Sequence, residues 1–408
     1  MPSSSPICRT RPRHALLPLT ALIGAALASP AHAVLSDTIH PFVSATYSYE
    51  DNLLRLPDGV PGPQGSRSDS LTQLQAGVLF ERPIGRQLLT GQAKVSRVSF
   101  NHYDQFNYNG KDASLEWQWF VLNNFSGHVG AAYSQVLTPF TDYHSSERNL
   151  RTSRHEYVDG NWRFHPSWQV HAGLSTFKYS YDLASQRFID RKEDAEDVGV
   201  DYLAASGSRF GVLARHAKGS YPNQPLVNGV MIDNGYTQDE LKANIFWLLN
   251  GVTQVQVLAG WARREHNYFT GYDASGANGR VTVYWQPLGK VKFTASAWRE
   301  FQAVESTLVN SSLNKGVSVG ANWDISAKLK ANALARHERR DFNIINAVVL
   351  AGEPSDSGNL LQAGLTYTPL SSVQLNVSTF RDTRTGSAYA GTGAYTAKGV
   401  SLTATGQF

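Results

Sequence analysis

The strongest constraint on this chain is a two-residue alternation of apolar with small or polar side chains, running from residue 43 to residue 408. Val43, Ala45, Tyr47 and Tyr49 alternate with Ser44, Thr46 and Ser48, and Leu74, Ala76, Val78 and Phe80 with Gln73, Gln75 and Gly77. The same beat carries Leu115, Trp117 and Trp119, then Val255 to Trp261, then Leu361 to Tyr367. A period of two is that of a strand with one apolar face, whereas a helix would show a stripe every 3.6 residues.

Eighteen such strands can be read along the chain, and their connections alternate in kind. Short turns fall near Pro83-Ile84-Gly85, Asn123-Asn124, His165-Pro166-Ser167, Ser206-Gly207-Ser208, Asn250-Gly251, Gln286 to Gly289, Asp324-Ile325-Ser326 and Pro369-Leu370-Ser371. Longer polar loops lie between them, for example Asp51 to Ser70, Thr138 to Arg151, Lys218 to Gln238 and Arg340 to Gly358. An aromatic closes the apolar face of each strand that enters a short turn: Phe80, Trp119, Phe164, Tyr202, Trp247, Trp285, Trp323 and Tyr367, with Phe408 at the end of the last strand. Rings repeated at one depth are what a membrane interface selects, because an amphipathic ring sits well at head-group level.

The spacing of these aromatics, 38 to 45 residues, is also that of a propeller blade. A blade needs four strands per repeat, and this chain supplies two of about ten residues, the length that crosses a bilayer at a tilt. Only 17% of positions are charged, fewer than the roughly 25% of an ordinary soluble domain, and the polar face is carried by Ser, Thr, Gln, Asn and Gly. The expected fold is all-β: a transmembrane antiparallel β-barrel of about eighteen strands, sixteen being the nearest alternative, with short periplasmic turns and long extracellular loops.

Residues 1–33 read as a secretory signal, with Arg9, Arg11 and Arg13 ahead of an apolar stretch from Ala15 to Ala28 and a small-x-small site at Ala31-His32-Ala33. The mature protein is expected to begin at Val34 and to form one barrel domain over 34–408. Cleavage takes three cations and lowers the net charge from +4 to +1, so nothing in the charge calls for nucleic acid. The one cysteine, Cys8, lies inside the signal, which leaves no internal disulfide. After the signal the densest apolar run, Ile245 to Leu249, is far short of the roughly 18 residues of a membrane helix. Strand one is expected about ten residues beyond the cleavage site, with no room for a plug domain ahead of it. Val400, Leu402, Ala404, Gly406 and Phe408 alternate to a final aromatic, an ending of the kind that outer-membrane barrels present to the barrel-assembly machinery.

The segment Ala45-Thr46-Tyr47-Ser48-Tyr49-Glu50-Asp51-Asn52-Leu53-Leu54-Arg55-Leu56 resembles the opening of the EpsL-type β-barrel porins, and Tyr108-Asn109-Gly110-Lys111-Asp112 followed by Trp117-Gln118-Trp119 is a second match. The resemblance implies an outer-membrane protein that accompanies exopolysaccharide biosynthesis, with exopolysaccharide and its export proteins as partners. It brings no catalytic residues. Asp51-Asn52 leave the first strand where a cap or turn is needed before Pro57-Asp58-Gly59, so a structural role competes with a sugar contact there.

No enzyme is expected, and no cofactor or metal. Tyr143-His144-Ser145 with Asp142 lacks a Gly context for an oxyanion site and reads as solvated loop. Asp273-Ala274-Ser275-Gly276 with Asn278 lacks the closing Glu of a calcium loop and reads as a turn, and the acidic run from Asp190 to Asp197 reads as loop outside the membrane. Charges in the phase opposite to the apolar face are the expected channel lining: Glu116, Lys178, Asp201, Arg215, Glu240, Lys242, Lys292, Glu300, Lys330, Arg336 and Glu338. A charge on the lipid face costs roughly 2 to 4 kcal/mol at midplane, so the inward phase is the cheaper one. Phe120, Trp298 and Phe380 are inward aromatics, with Trp298 the expected stacking surface for sugar rings. The expected function is an aqueous passage for exopolysaccharide in the bacterial outer membrane; a general diffusion porin and a non-conducting scaffold are the alternatives.

Overall fold

In a bilayer, strands with one apolar face must find partners for every backbone N–H and C=O, and only a closed sheet supplies them all. A computed structural model shows that the chain closes such a sheet. It describes residues 38–408 apart from 64, 142–144, 225, 228–229, 269–272, 305–308, 345–351 and 353. The signal expected at 1–33, Cys8, Val34 and the Asp142 to His144 part of the loop weighed above lie outside the described residues.

Eighteen strands form one antiparallel sheet. The first nine are β1 (Ile39–Glu50), β2 (Asp69–Ile84), β3 (Gln87–Phe100), β4 (Tyr108–Val121), β5 (Phe125–Leu137), β6 (Leu150–His165), β7 (Trp168–Tyr181), β8 (Arg191–Leu203) and β9 (Arg209–Ser220). The rest are β10 (Tyr236–Asn250), β11 (Thr253–His266), β12 (Ala274–Leu288), β13 (Val291–Ala303), β14 (Val309–Asp324), β15 (Leu329–Ile344), β16 (Ser355–Leu370), β17 (Val373–Arg384) and β18 (Tyr395–Gln407). Each pairs with its neighbours in sequence, and β1 also pairs with β18 from Phe42 opposite Gln407 to Glu50 opposite Gly399, which closes the barrel. On the inner side of that seam three hydroxyl pairs run in step with the backbone ladder: Ser44 with Thr405 (3.2 Å), Thr46 with Thr403 (2.9 Å) and Ser48 with Ser401 (2.6 Å).

Short and long connections alternate as the sequence implies, and the tight turn at 85–86 places Gly85 at φ 62°, a backbone region that favours glycine. The strands are longer than the expected ten residues, at 12 to 16. They continue past the apolar band on the long-loop side, so the loops shrink to 51–68 and 221–235 where the sequence suggested Asp51 to Ser70 and Lys218 to Gln238. For the same reason the acidic run is not loop. Residues Arg191 to Asp197 belong to β8, and Asn278 lies within β12.

Leu74, Val95, Leu115, Leu174, Val317 and Leu402 stand exposed on the outer face, as lipid contacts should. Trp285 lies opposite Phe293, Trp323 opposite Val291 and Tyr367 opposite Leu375, so the predicted girdle falls at the short-turn end. Phe125 stacked on Trp162 (6.0 Å) and Trp168 edge-on to Tyr202 (5.3 Å) thicken it.

The mouth at the opposite end is cushioned from within. Leu53 and Leu54 of the first long loop pack with Val98, Phe100, Tyr103 and Phe106, and Val309 and Phe342 pack with Tyr389 of the last long loop.

Candidate functional site

Register decides which side of the wall each charge takes. Glu116, Asp201, Arg215, Glu240, Lys242, Lys292, Trp298, Glu300, Lys330, Arg336 and Glu338 fall on the inner phase. Lys178 does not. It shares the outer phase with Trp168 and with Leu174, which is 56% exposed, and stands opposite Arg154 and Lys192. The misplacement has a physical cause: above the apolar band β7 turns Phe177, Tyr179 and Tyr181 inward, so its apolar residues change sides and the apparent phase inverts.

The inner wall carries charge in paired clusters. Glu240, almost fully buried, receives Lys242 Nζ (2.7 Å), Gln238 Nε2 (2.5 Å) and Asn278 Nδ2 (2.6 Å), with Arg215 at 3.9 Å. Gln238 accepts Arg264 Nε (2.7 Å), Arg264 lies 4.0 Å over the ring of Tyr236, and the Tyr236 hydroxyl donates to Glu193. This network spans β8 to β12. Nearer the short-turn end, Asp201 is 0% exposed, accepts Gln169 Nε2 (2.9 Å), pairs with His171 Nδ1 (3.0 Å) and has Arg209 at 3.8 Å. On β12 to β15, Arg280 grips Glu300 through two bonds (3.1 and 2.8 Å), and Glu338 receives Trp298 Nε1 (3.1 Å) and Arg336 (2.5 Å). Glu116 accepts the Tyr157 hydroxyl, and Lys330 meets Asp324 (3.7 Å) at the short-turn rim. Paired this way, the charges satisfy one another in a wall where an unpaired buried charge would be costly.

Trp298 is inward, but it is not a presented stacking surface. It is 7% exposed, crosses Gly316 on β14, and has Arg280 and Arg336 over its ring at 4.8 and 5.1 Å. Phe120 and Phe380 are likewise covered, by Arg86 at 5.4 Å and by Arg55 at 5.6 Å. The same device recurs along the wall, where Phe42 lies over Gly77, Tyr157 over Gly130, Tyr236 over Gly219 and Phe380 over Gly399. A ring laid over a neighbouring glycine fills the gap left by the missing side chain.

A second group of rings, which includes Tyr157, forms a continuous inner track on β6 and β7. His155 stacks on Phe177 with centroids 3.8 Å apart and on Tyr157 at 4.9 Å, Phe177 lies parallel to Tyr179 at 6.5 Å, and Arg191 caps Tyr179 at 4.4 Å. All four rings are half-buried. Sequence reading missed them because alternation alone gives their phase only once the register of β7 is known.

The segment that carries the family resemblance builds the mouth. Asn52 holds the first loop by accepting the Leu56 N–H (2.9 Å) and donating to the carbonyls of Leu56 (2.9 Å) and Thr396 (3.1 Å). Arg55, at φ 55°, turns back inside to Glu50 (2.7 Å) and Asp382 (3.6 Å). The structural reading of Asp51-Asn52 is the one the geometry bears out.

A closed barrel with an apolar, aromatic-belted exterior and a polar, charged interior is a porin-like β-barrel of the bacterial outer membrane. Residues 246–408 match the family described as "Putative beta-barrel porin 2". No curated protein matches the chain. Among solved structures it is similar to OccAB3 of Acinetobacter baumannii (10% identity, 92% of this chain and 100% of that one, TM-score 0.47). Others are OccK1 of Pseudomonas aeruginosa (11%, 92% and 100%, TM-score 0.46) and the siderophore receptor PirA from Pseudomonas aeruginosa (11%, 92% and 81%, TM-score 0.45).

Proposed function

We propose that this barrel is a passage for a glycan chain and serves the export of an exopolysaccharide. The observation that carries the reading is the inner track of Tyr157, His155, Phe177 and Tyr179 ending on Arg191, because sugar rings slide along aromatic faces and accept hydrogen bonds from a flanking guanidinium. Eighteen strands leave an aqueous lumen. The resemblance of the Ala45 to Leu56 segment to EpsL-type barrels supports the same substrate class. The evenly paired charge of the wall favours a neutral polymer over a single ion, and it is equally the mark of an unselective diffusion porin, the second reading.

Purified barrel in a planar bilayer separates the two. A neutral oligosaccharide added to one side should interrupt the ion current, and Phe177→Ala should shorten each interruption severalfold with little change in open current. A strain lacking the protein should lose surface polysaccharide while its uptake of small nutrients stays normal. Normal polysaccharide with slowed uptake overturns export in favour of the porin.

A further inference from the structure

Opposed like charges recur on the outer face of β13 to β18. On β13, β14 and β15, Arg299 stands directly opposite Lys315, and Lys315 directly opposite Arg339. Arg381 on β17 stands directly opposite Lys398 on β18. All five lie on the lipid-facing phase, one step beyond Ala297, Val317, His337, Thr379 and Val400, on the long-loop side of the apolar band. Like charges facing each other across a strand pair are destabilising unless something of opposite charge lies between them.

The protein supplies little of it here. Asp341 takes both Lys315 (2.9 Å) and Arg339 (2.9 Å), and the carboxylate of Asp51, beside Lys398, is engaged by the Lys398 backbone N–H (2.6 Å). Arg299 donates to the Ala277 carbonyl. On the other side of the barrel the row Arg154, Lys178 and Lys192 is answered within the wall. Lys192 binds Asp194 (2.8 Å), Lys218 lies opposite Asp194, Glu156 adjoins Arg154, and Arg263 pairs with Glu265. The exterior of β6 to β11 is thus charge-balanced, and that of β13 to β18 is left cationic at the height where lipid head groups begin.

We propose that the outer face of β13 to β18 docks the phosphate-bearing head group of the outer-leaflet lipid, with Arg381 and Lys398 at its centre. The two cations span a phosphate between adjacent strands. Thr383 and Thr396, opposite each other one step above, add hydroxyls, while Leu361 and Val400 beside and below receive acyl chain. Cations near an anionic membrane surface each favour association by about 1 kcal/mol.

The test uses the whole barrel in detergent with diphosphoryl lipid A, read by native mass spectrometry and by the temperature at which heat-modifiable migration on gels is lost. Wild type should keep lipid A and unfold at higher temperature with it. The double variant Arg381→Gln, Lys398→Gln should bind it about thirtyfold more weakly, whereas Lys192→Gln with Lys218→Gln, on the balanced side, should bind as wild type does. Phosphatase-treated lipid A should fail on wild type, a comparison that needs no variant. Equal binding by the Arg381/Lys398 variant, equal loss in the Lys192/Lys218 variant, or undiminished binding of the dephosphorylated lipid overturns the proposal. Displacement of lipid A by millimolar inorganic phosphate would overturn a lipid in favour of a free anion.

Discussion

Trp298 and Gly316 face each other on β13 and β14, and the indole fills the space over the glycine so closely that a Cβ there would stand 2.3 Å from its Cζ2. An indole held by Glu338 and covered by two guanidinium groups cannot give way like the end of a flexible chain. Gly316→Ala is therefore expected to cost about 1 to 3 kcal/mol, the usual penalty of overpacking, and to push the ring into the lumen. Urea unfolding, a shifted tryptophan emission and a smaller single-channel current would report it together; an unchanged emission would refute the displacement.

Glu240→Gln should be the most damaging change in the wall, because it leaves Lys242 buried beside a neutral amide. Removing one partner of a buried pair costs about 3 kcal/mol or more. Glu300→Gln, at a pair with more solvent access, should cost about 1 kcal/mol or less. Both should move the reversal potential in a salt gradient toward anion preference.

Asn52→Ala removes three hydrogen bonds that hold the first long loop, each worth about 1 kcal/mol. Protease cleavage within 51–68 should speed up while the barrel still migrates as folded. Arg55→Ala, which clears a side chain from the inner rim, should raise single-channel conductance.

Burial holds the Asp190 carboxyl, in the loop after β7, above the ordinary aspartate value, against the opposing pull of the Tyr181 N–H, Arg187, Lys178 and Asn223. An acid raised in this way opposes the folded loop when ionised at neutral pH, and the opposition fades as pH falls through its raised value. Asp190→Asn should accordingly unfold at a higher temperature than wild type at pH 7, with the difference vanishing in acid. A less stable variant at pH 7 would contradict this reading.

The barrel itself was legible because alternation and turn spacing are local properties. Phe80 to Phe408 gave one girdle, and eleven of the twelve proposed lining positions took the inner phase. Lys178 failed where Phe177 and Tyr179 put aromatic character on the water side, and alternation cannot say which side is water once a strand leaves the bilayer. Trp298 was placed on the right face but given the wrong surroundings, since Gly316 and Arg336 reach it only through cross-strand register. The same holds for the His155 to Tyr179 track and for the Arg381–Lys398 pair, which join residues that alternation treats as independent.

The seam between β1 and β18 has a kinetic consequence. Its hydroxyl pairs join residues more than 350 positions apart, so no growing or partly inserted chain can form them early. Until they form, the sheet has two open edges facing lipid, each a row of unmet hydrogen-bonding groups that the bilayer tolerates poorly. Completion is thus all-or-none. A chain that stalls anywhere short of β18 keeps both edges, and the cell can sort finished barrels from unfinished ones by whether an edge remains to be captured.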